Sequence, residues 1–155
     1  MIIRIATLAF ALSLLPAVVV AARSSVPEPI LQLATAVVHA ANAGDAAALS
    51  NLFTNDAVVV DENPPFLWRG SGAGVAWWHV VASVTQKAKL QHLKATAVRL
   101  AEFKQTATDA YLVQSMTVTA LAAGKPFAEA GTMTYTFHAS SGKWLISSMV
   151  WTTKP

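Results

Sequence analysis

The sequence predicts an α+β domain in which N-terminal helices pack inside a curved antiparallel sheet. Apolar residues recur at helical spacing over Ile30–Ala41 and again over about Ala73–Thr85. From Lys89 onward the pattern changes to four strand-like runs. The gaps between those runs are short, so neighbouring strands must run antiparallel.

The chain begins with a short basic segment, Met1-Ile2-Ile3-Arg4, and Ile5–Ala22 then carries no charge. Val20-Ala21-Ala22 closes that run with small residues. This is the layout of a secretory signal peptide over residues 1–22, cut after Ala22. A retained membrane anchor is the alternative reading, but the run is near the short limit for a span and Pro16 interrupts it. Export to the periplasm or the extracellular space is expected, with no membrane association after cleavage. Residues 23–29, with two prolines, read as a flexible mature N-terminus, and residues 30–155 as one domain.

In the first helix, Ile30, Leu31, Leu33, Ala34, Val37, Val38 and Ala41 form an apolar face. Gly44 is placed to end that helix and Asp45 to cap the next one, about Ala46–Phe53. Ala57–Asp61 reads as a short strand with a β-branched centre, broken by Asn63-Pro64-Pro65. Phe66-Leu67-Trp68 is apolar and Arg69-Gly70 turns the chain. Ser71 could cap a third helix, with Val75, Trp78, Val81 and Val84 on its apolar side. The four strands are expected at Lys89–Phe103, Ala110–Ala122, Phe127–Ala139 and Lys143–Thr153. Ala123-Gly124-Lys125-Pro126 and Ser140-Ser141-Gly142 supply turn chemistry between the last three.

Composition narrows the function. The chain is 54% apolar and 12% charged, with a formal charge of +3 that falls to +2 when Arg4 leaves with the leader. Lys87, Lys89, Lys94, Arg99 and Lys104 are spaced out along the chain, which makes a solvated face and not a nucleic-acid surface. There is no cysteine. Disulfides, thiolate metal sites and cysteine nucleophiles are therefore excluded, and the core must supply the stability. His39, His79, His92 and His138 show no ligand spacing, so neither a metal site nor a cofactor is expected.

The chain resembles the NTF2-like (SnoaL-like) α+β cone superfamily, which includes ketosteroid isomerase, scytalone dehydratase and limonene epoxide hydrolase. Asn42-Ala43-Gly44-Asp45, Leu52-Phe53, Asp56-Ala57, Arg69-Gly70, the Gly131–Phe137 strand and Gly142-Lys143-Trp144 carry the resemblance, which spans about Ile30–Thr153. It implies a cone-shaped fold with an interior cavity. Counted from the shared Asn-Ala-Gly-Asp, the general-base aspartate of ketosteroid isomerase falls on Asp61. Its oxyanion-hole tyrosine falls on Val37, and its oxyanion-hole acid near Met133 or Thr134. The base position is kept and both acid positions are lost, so isomerase chemistry of that kind is not expected. Asp61 and Arg69 could supply two parts of the epoxide hydrolase network, but no second aspartate stands out.

Strand alternation places Ala57, Val59 and Asp61 on one face. Asp61 is the candidate catalytic residue if it faces the cavity. Otherwise it binds the Asn63 amide or pairs with Arg69. Val37, Val59, Trp68, Met133 and Tyr135 are the candidate ligand-binding residues, with Trp68 as a lid. His79 is expected on a helix surface and His138 at a surface or interface. Thr132, Thr134 and Thr136 alternate with Met133, Tyr135 and Phe137, so the threonine face is expected to be outward and suited to a homodimer through the sheet. Three functions stay open. The chain could be an enzyme using Asp61 for proton transfer in an isomerase-, dehydratase- or hydrolase-like step on a small apolar molecule. It could equally be a non-catalytic binder of such a molecule, or a dimeric structural or interaction module.

Overall fold

In the computed structural model, which describes residues 25–154, the first helical pattern forms α1 (Glu28–Ala43). The expected leader, residues 1–22, lies outside the described residues. Helix α1 starts two residues before Ile30, because Pro29 stands in the first turn, where its missing N–H costs nothing. Ile30, Ala34, Val37 and Ala40 form its buried stripe, while Leu31 turns outward. Gly44 ends the helix at φ 69°, and the Asp45 amide donates to the Ala40 carbonyl at 2.9 Å. That left-handed closure is strained for any residue with a Cβ, hence the glycine.

Asp45 accepts the Ala48 amide at 3.0 Å, as expected of a cap. The element it caps is a single 3-10 turn, Ala47–Asn51, and not a helix reaching Phe53. Phe53 instead opens β1 (Phe53–Val60), four residues earlier than alternation alone indicated. Its ring lies on the helix that follows: a Cβ on Gly74 would stand 2.2 Å from the Phe53 ring. Strand β2 (Leu67–Arg69) pairs antiparallel with β1 through Val59 and Trp68. Helix α2 (Ala73–Lys87) begins after Gly72, with no side-chain cap, so Ser71 does not play that part. The Gly70 carbonyl accepts the Ala73 amide instead.

Strands β3 (Leu90–Gln105), β4 (Asp109–Ala122), β5 (Lys125–Ser140) and β6 (Lys143–Thr153) form an antiparallel meander as expected. Ala123-Gly124 and Ser141-Gly142 are both two-residue turns with positive φ at each position, the geometry that matches strand twist. The sheet order is β2-β1-β6-β5-β4-β3, and β1 joins β6 in parallel. Met133, Tyr135 and Phe137 of β5 are buried, while Thr132, Thr134 and Thr136 are half-buried on the other face.

The sheet curls around α1 and α2, and a core of Ile30, Leu49, Val59, Leu112, Tyr135, Phe137, Ile146 and Met149 fills the space between them. Asn42 pins α1 to the far edge of the sheet. Its side-chain amide donates to the Ala95 carbonyl at 2.8 Å and accepts the Ala95 amide at 2.7 Å. The asparagine thus takes the place of a neighbouring strand at one residue of β3, which is otherwise an open edge. Among the described residues, no helix is long and apolar enough to cross a membrane.

Candidate functional site

A cavity of about 220 Å³ opens between the C-terminal half of α1, the inner face of α2 and the concave side of β3–β6. Most of its wall is apolar: Val37, Val38 and Ala41 from α1, Val81 and Val84 from α2, Leu90 and Leu93 from β3, Met116 and Val118 from β4. Trp77, Trp78, Trp151 and Phe127 add aromatic surface. Polar groups come mainly from the loop after β1, which supplies Asp61, Glu62 and Asn63, and from Glu129 of β5.

Glycine at position 131 makes room for one of those walls. A Cβ there would lie 2.3 Å from the Trp151 ring and 2.8 Å from the Thr152 carbonyl. The Trp151 indole can therefore lie across the β5 backbone and still border the cavity.

Asp61 directly follows β1 and is 5% exposed. Burying a carboxylate is costly unless its lone pairs are satisfied. One oxygen, Oδ1, accepts the Asn63 backbone amide at 2.9 Å and the Asn63 side-chain amide at 2.7 Å. The other, Oδ2, accepts the Trp77 indole N–H at 2.8 Å. The expected turn contact with Asn63 is thus present, and the expected pairing with Arg69 is not. Arg69 is exposed on β2, and the only ion pairs among the described residues are Lys104–Glu102 and His138–Asp109.

The other candidate residues separate into two groups. Val37 and Met133 border the cavity with Asp61. Val59, Trp68 and Tyr135 do not: all three are buried in the core, and Trp68 sits in the middle of β2 opposite Val59 and not over the cavity mouth. All four histidines are exposed and none lines the cavity. His138 binds Asp109 on the surface at 2.8 Å.

Two residues of the site escaped sequence reasoning. A narrow helical stripe singles out Trp78 and not Trp77, yet both indoles are buried, with ring centroids 5.9 Å apart. Glu129 shares its strand parity with Gly131, Met133 and Tyr135, and extending that alternation back one step would have found it. Burial pushes the Glu129 carboxyl above its ordinary range, and the charges of Glu62 and Asp61 add to the effect. Deeper in the fold, the Tyr135 hydroxyl and Gln114 Oε1 are buried with no hydrogen-bond partner among the described residues, and burial drives the Tyr135 phenol upward. Among the described residues, no three His, Cys, Asp or Glu side chains are placed to hold a metal ion.

A family model described as a SnoaL-like domain matches residues 23–150. No curated protein matches the sequence. Among solved structures, a hexachlorocyclohexane dehydrochlorinase from Novosphingobium barchaimii superimposes with a TM-score of 0.69 at 12% identity, covering 82% of this chain and 85% of that one. An NTF2-like protein with a cystatin-like fold from Novosphingobium aromaticivorans gives 0.67 at 17%, covering 80% and 79%. A protein of unknown function from Mycobacterium tuberculosis gives 0.67 at 16%, covering 81% and 70%. At these identities the likeness is one of fold.

Two outcomes test the site's geometry. Trp77→Phe removes the only donor to Asp61 Oδ2 among the described residues and is expected to destabilise the fold by about 1–3 kcal/mol. Tyr135→Phe removes a hydroxyl with no partner and is expected to be neutral or stabilising; chemical denaturation of the two variants reads the contrast. Glu129 gives a pH test. An acid whose pKa is raised by folding contributes stability that is present at low pH and lost as pH rises through the folded value. Glu129→Gln is therefore expected to match wild type at pH 4 and to exceed it at pH 7. The residue is only half-buried, so solvent screening holds the gain to at most about 1 kcal/mol.

Proposed function

Since the chain belongs to the SnoaL-like domain family, we propose that it binds a small, largely apolar molecule in the cavity between α1, α2 and the sheet. The observation that carries this reading is the cavity itself: apolar on most sides and polar at one end, where Asp61 is held in place by Trp77 and Asn63. Ligand sites commonly combine such walls with a few fixed polar groups that set orientation. A pocket packed solid with tryptophan and phenylalanine would have argued against any small-molecule role. Here the indoles border open space instead.

Proton transfer by Asp61 is the second reading, favoured by the carboxylate's place in the cavity wall. Against a full acid–base pair stands the exposure of every histidine. The three donors on Asp61 also suit a fixed acceptor better than a base that must release and regain a proton. One structural neighbour is a dehydrochlorinase of hexachlorocyclohexane, itself small and apolar, but that likeness extends to the fold alone.

A thermal-shift screen of small apolar compounds tests the proposal. Ligands are expected to raise Tm with concentration, by the equivalent of about 2.7 kcal/mol at a hundredfold excess over Kd. Gly131→Ala pushes the Trp151 ring or the β6 backbone and is expected to weaken such a ligand or abolish its binding. A shift that survives Asp61→Asn without any turnover in wild type supports binding alone. Turnover in wild type that Asp61→Asn removes supports proton transfer. No shift with any compound overturns both readings. Export belongs to the same proposal: protein recovered outside the cytoplasm is expected to begin at Arg23, which N-terminal sequencing reads directly.

A further inference from the structure

We propose that the ligand of this cavity is a cation: a small apolar molecule bearing one protonated amine or quaternary ammonium group. The inference rests on the binding reading above and adds the charge of the ligand to it. Asp61, Glu62 and Glu129 all line the cavity, and among the described residues no lysine, arginine or histidine does. None of the three forms an ion pair with another described residue. The hydrogen-bond partners of Asp61 are neutral N–H groups, which orient the carboxylate without cancelling its charge. Glu62 has one partner, the Thr153 hydroxyl at 2.5 Å, also neutral. The recess therefore carries negative potential that nothing in its wall offsets, and a low-dielectric surround strengthens it. The upward shift of the Glu129 carboxyl has the same neighbours among its causes, after burial.

The rest of the wall suits an organic cation and not a metal ion. A divalent metal needs several oxygen ligands converging at about 2.0–2.6 Å. No such convergence exists among the described residues. Trp77, Trp78 and Trp151 border the same space. Indole rings attract ammonium groups through the ring quadrupole and accept apolar surface equally well. An anionic ligand would meet three carboxylates without a compensating cation, and a neutral one would leave the field unused.

Isothermal titration of the full chain with three ligands on one hydrocarbon cage tests the inference: 1-adamantylammonium, 1-adamantanol and adamantane-1-carboxylate. The ammonium is expected to bind at least about tenfold more tightly than the alcohol, and the carboxylate no better than the alcohol. Added salt is expected to narrow the gap. Glu129→Gln, alone and then combined with Glu62→Gln, is expected to narrow the ammonium-to-alcohol ratio stepwise, with Asp61 retaining the remainder. Equal binding of ammonium and alcohol, preference for the carboxylate, or a gap that the double variant leaves undiminished overturns the cation inference and leaves the cavity reading standing. Binding by none of the three overturns both.

Discussion

The buried carboxylate of Asp61 is the constraint around which the site is arranged. A charged group at the end of an apolar strand must find donors inside the fold or destabilise it. Here it finds two on Asn63 and one on Trp77. Those bonds tie the end of β1, the loop that follows it and the inner face of α2 to one point. The indole that donates to Asp61 then borders the cavity with its ring. One requirement, satisfaction of a carboxylate, thus fixes a polar end and an aromatic wall together.

Other parts of the chain keep the cavity open by leaving atoms out or by bracing its edges. Gly131 lets the Trp151 ring lie over the strand, and Gly74 lets Phe53 lie against α2. Asn42 holds the end of α1 against β3 by bonding both backbone groups of Ala95. Val37, Val38 and Ala41, on the same stretch of α1, are thereby kept facing Met116 and Met133 across the space. The outcome is a recess whose apolar surface favours a hydrocarbon body and whose acidic end meets no cation among the described residues.

The α+β architecture was legible because its signals are local. The Thr/aromatic alternation of Thr132–Phe137 told the two faces of β5 apart, and the Gly124 and Gly142 turns set the hairpins. The parity of Ala57, Val59 and Asp61 put all three on one face, and that face is the buried one. The parallel pairing of β1 with β6 was not legible, since it joins segments some ninety positions apart through sheet closure and not through pattern. Strand β2 was missed because three residues show no period; only its partner β1 makes it a strand. Within the site, inward-facing did not mean cavity-facing. Val59 and Tyr135 point to the same interior as Asp61 and Met133 but are packed over by core side chains. Trp77 was hidden because α2 is wedged between the β1 loop and the sheet, so its buried face is wider than one helical stripe.

The most direct test of this account is an amide and indole NMR titration of the uniformly ¹⁵N-labelled chain with 1-adamantanol. The indole N–H signals of Trp77, Trp78 and Trp151 are expected to shift together along one saturating isotherm. Those of Trp68 and Trp144, which lie outside the cavity wall, are expected to stay in place. Movement confined to Trp68 and Trp144, or no movement at saturating ligand, would contradict it.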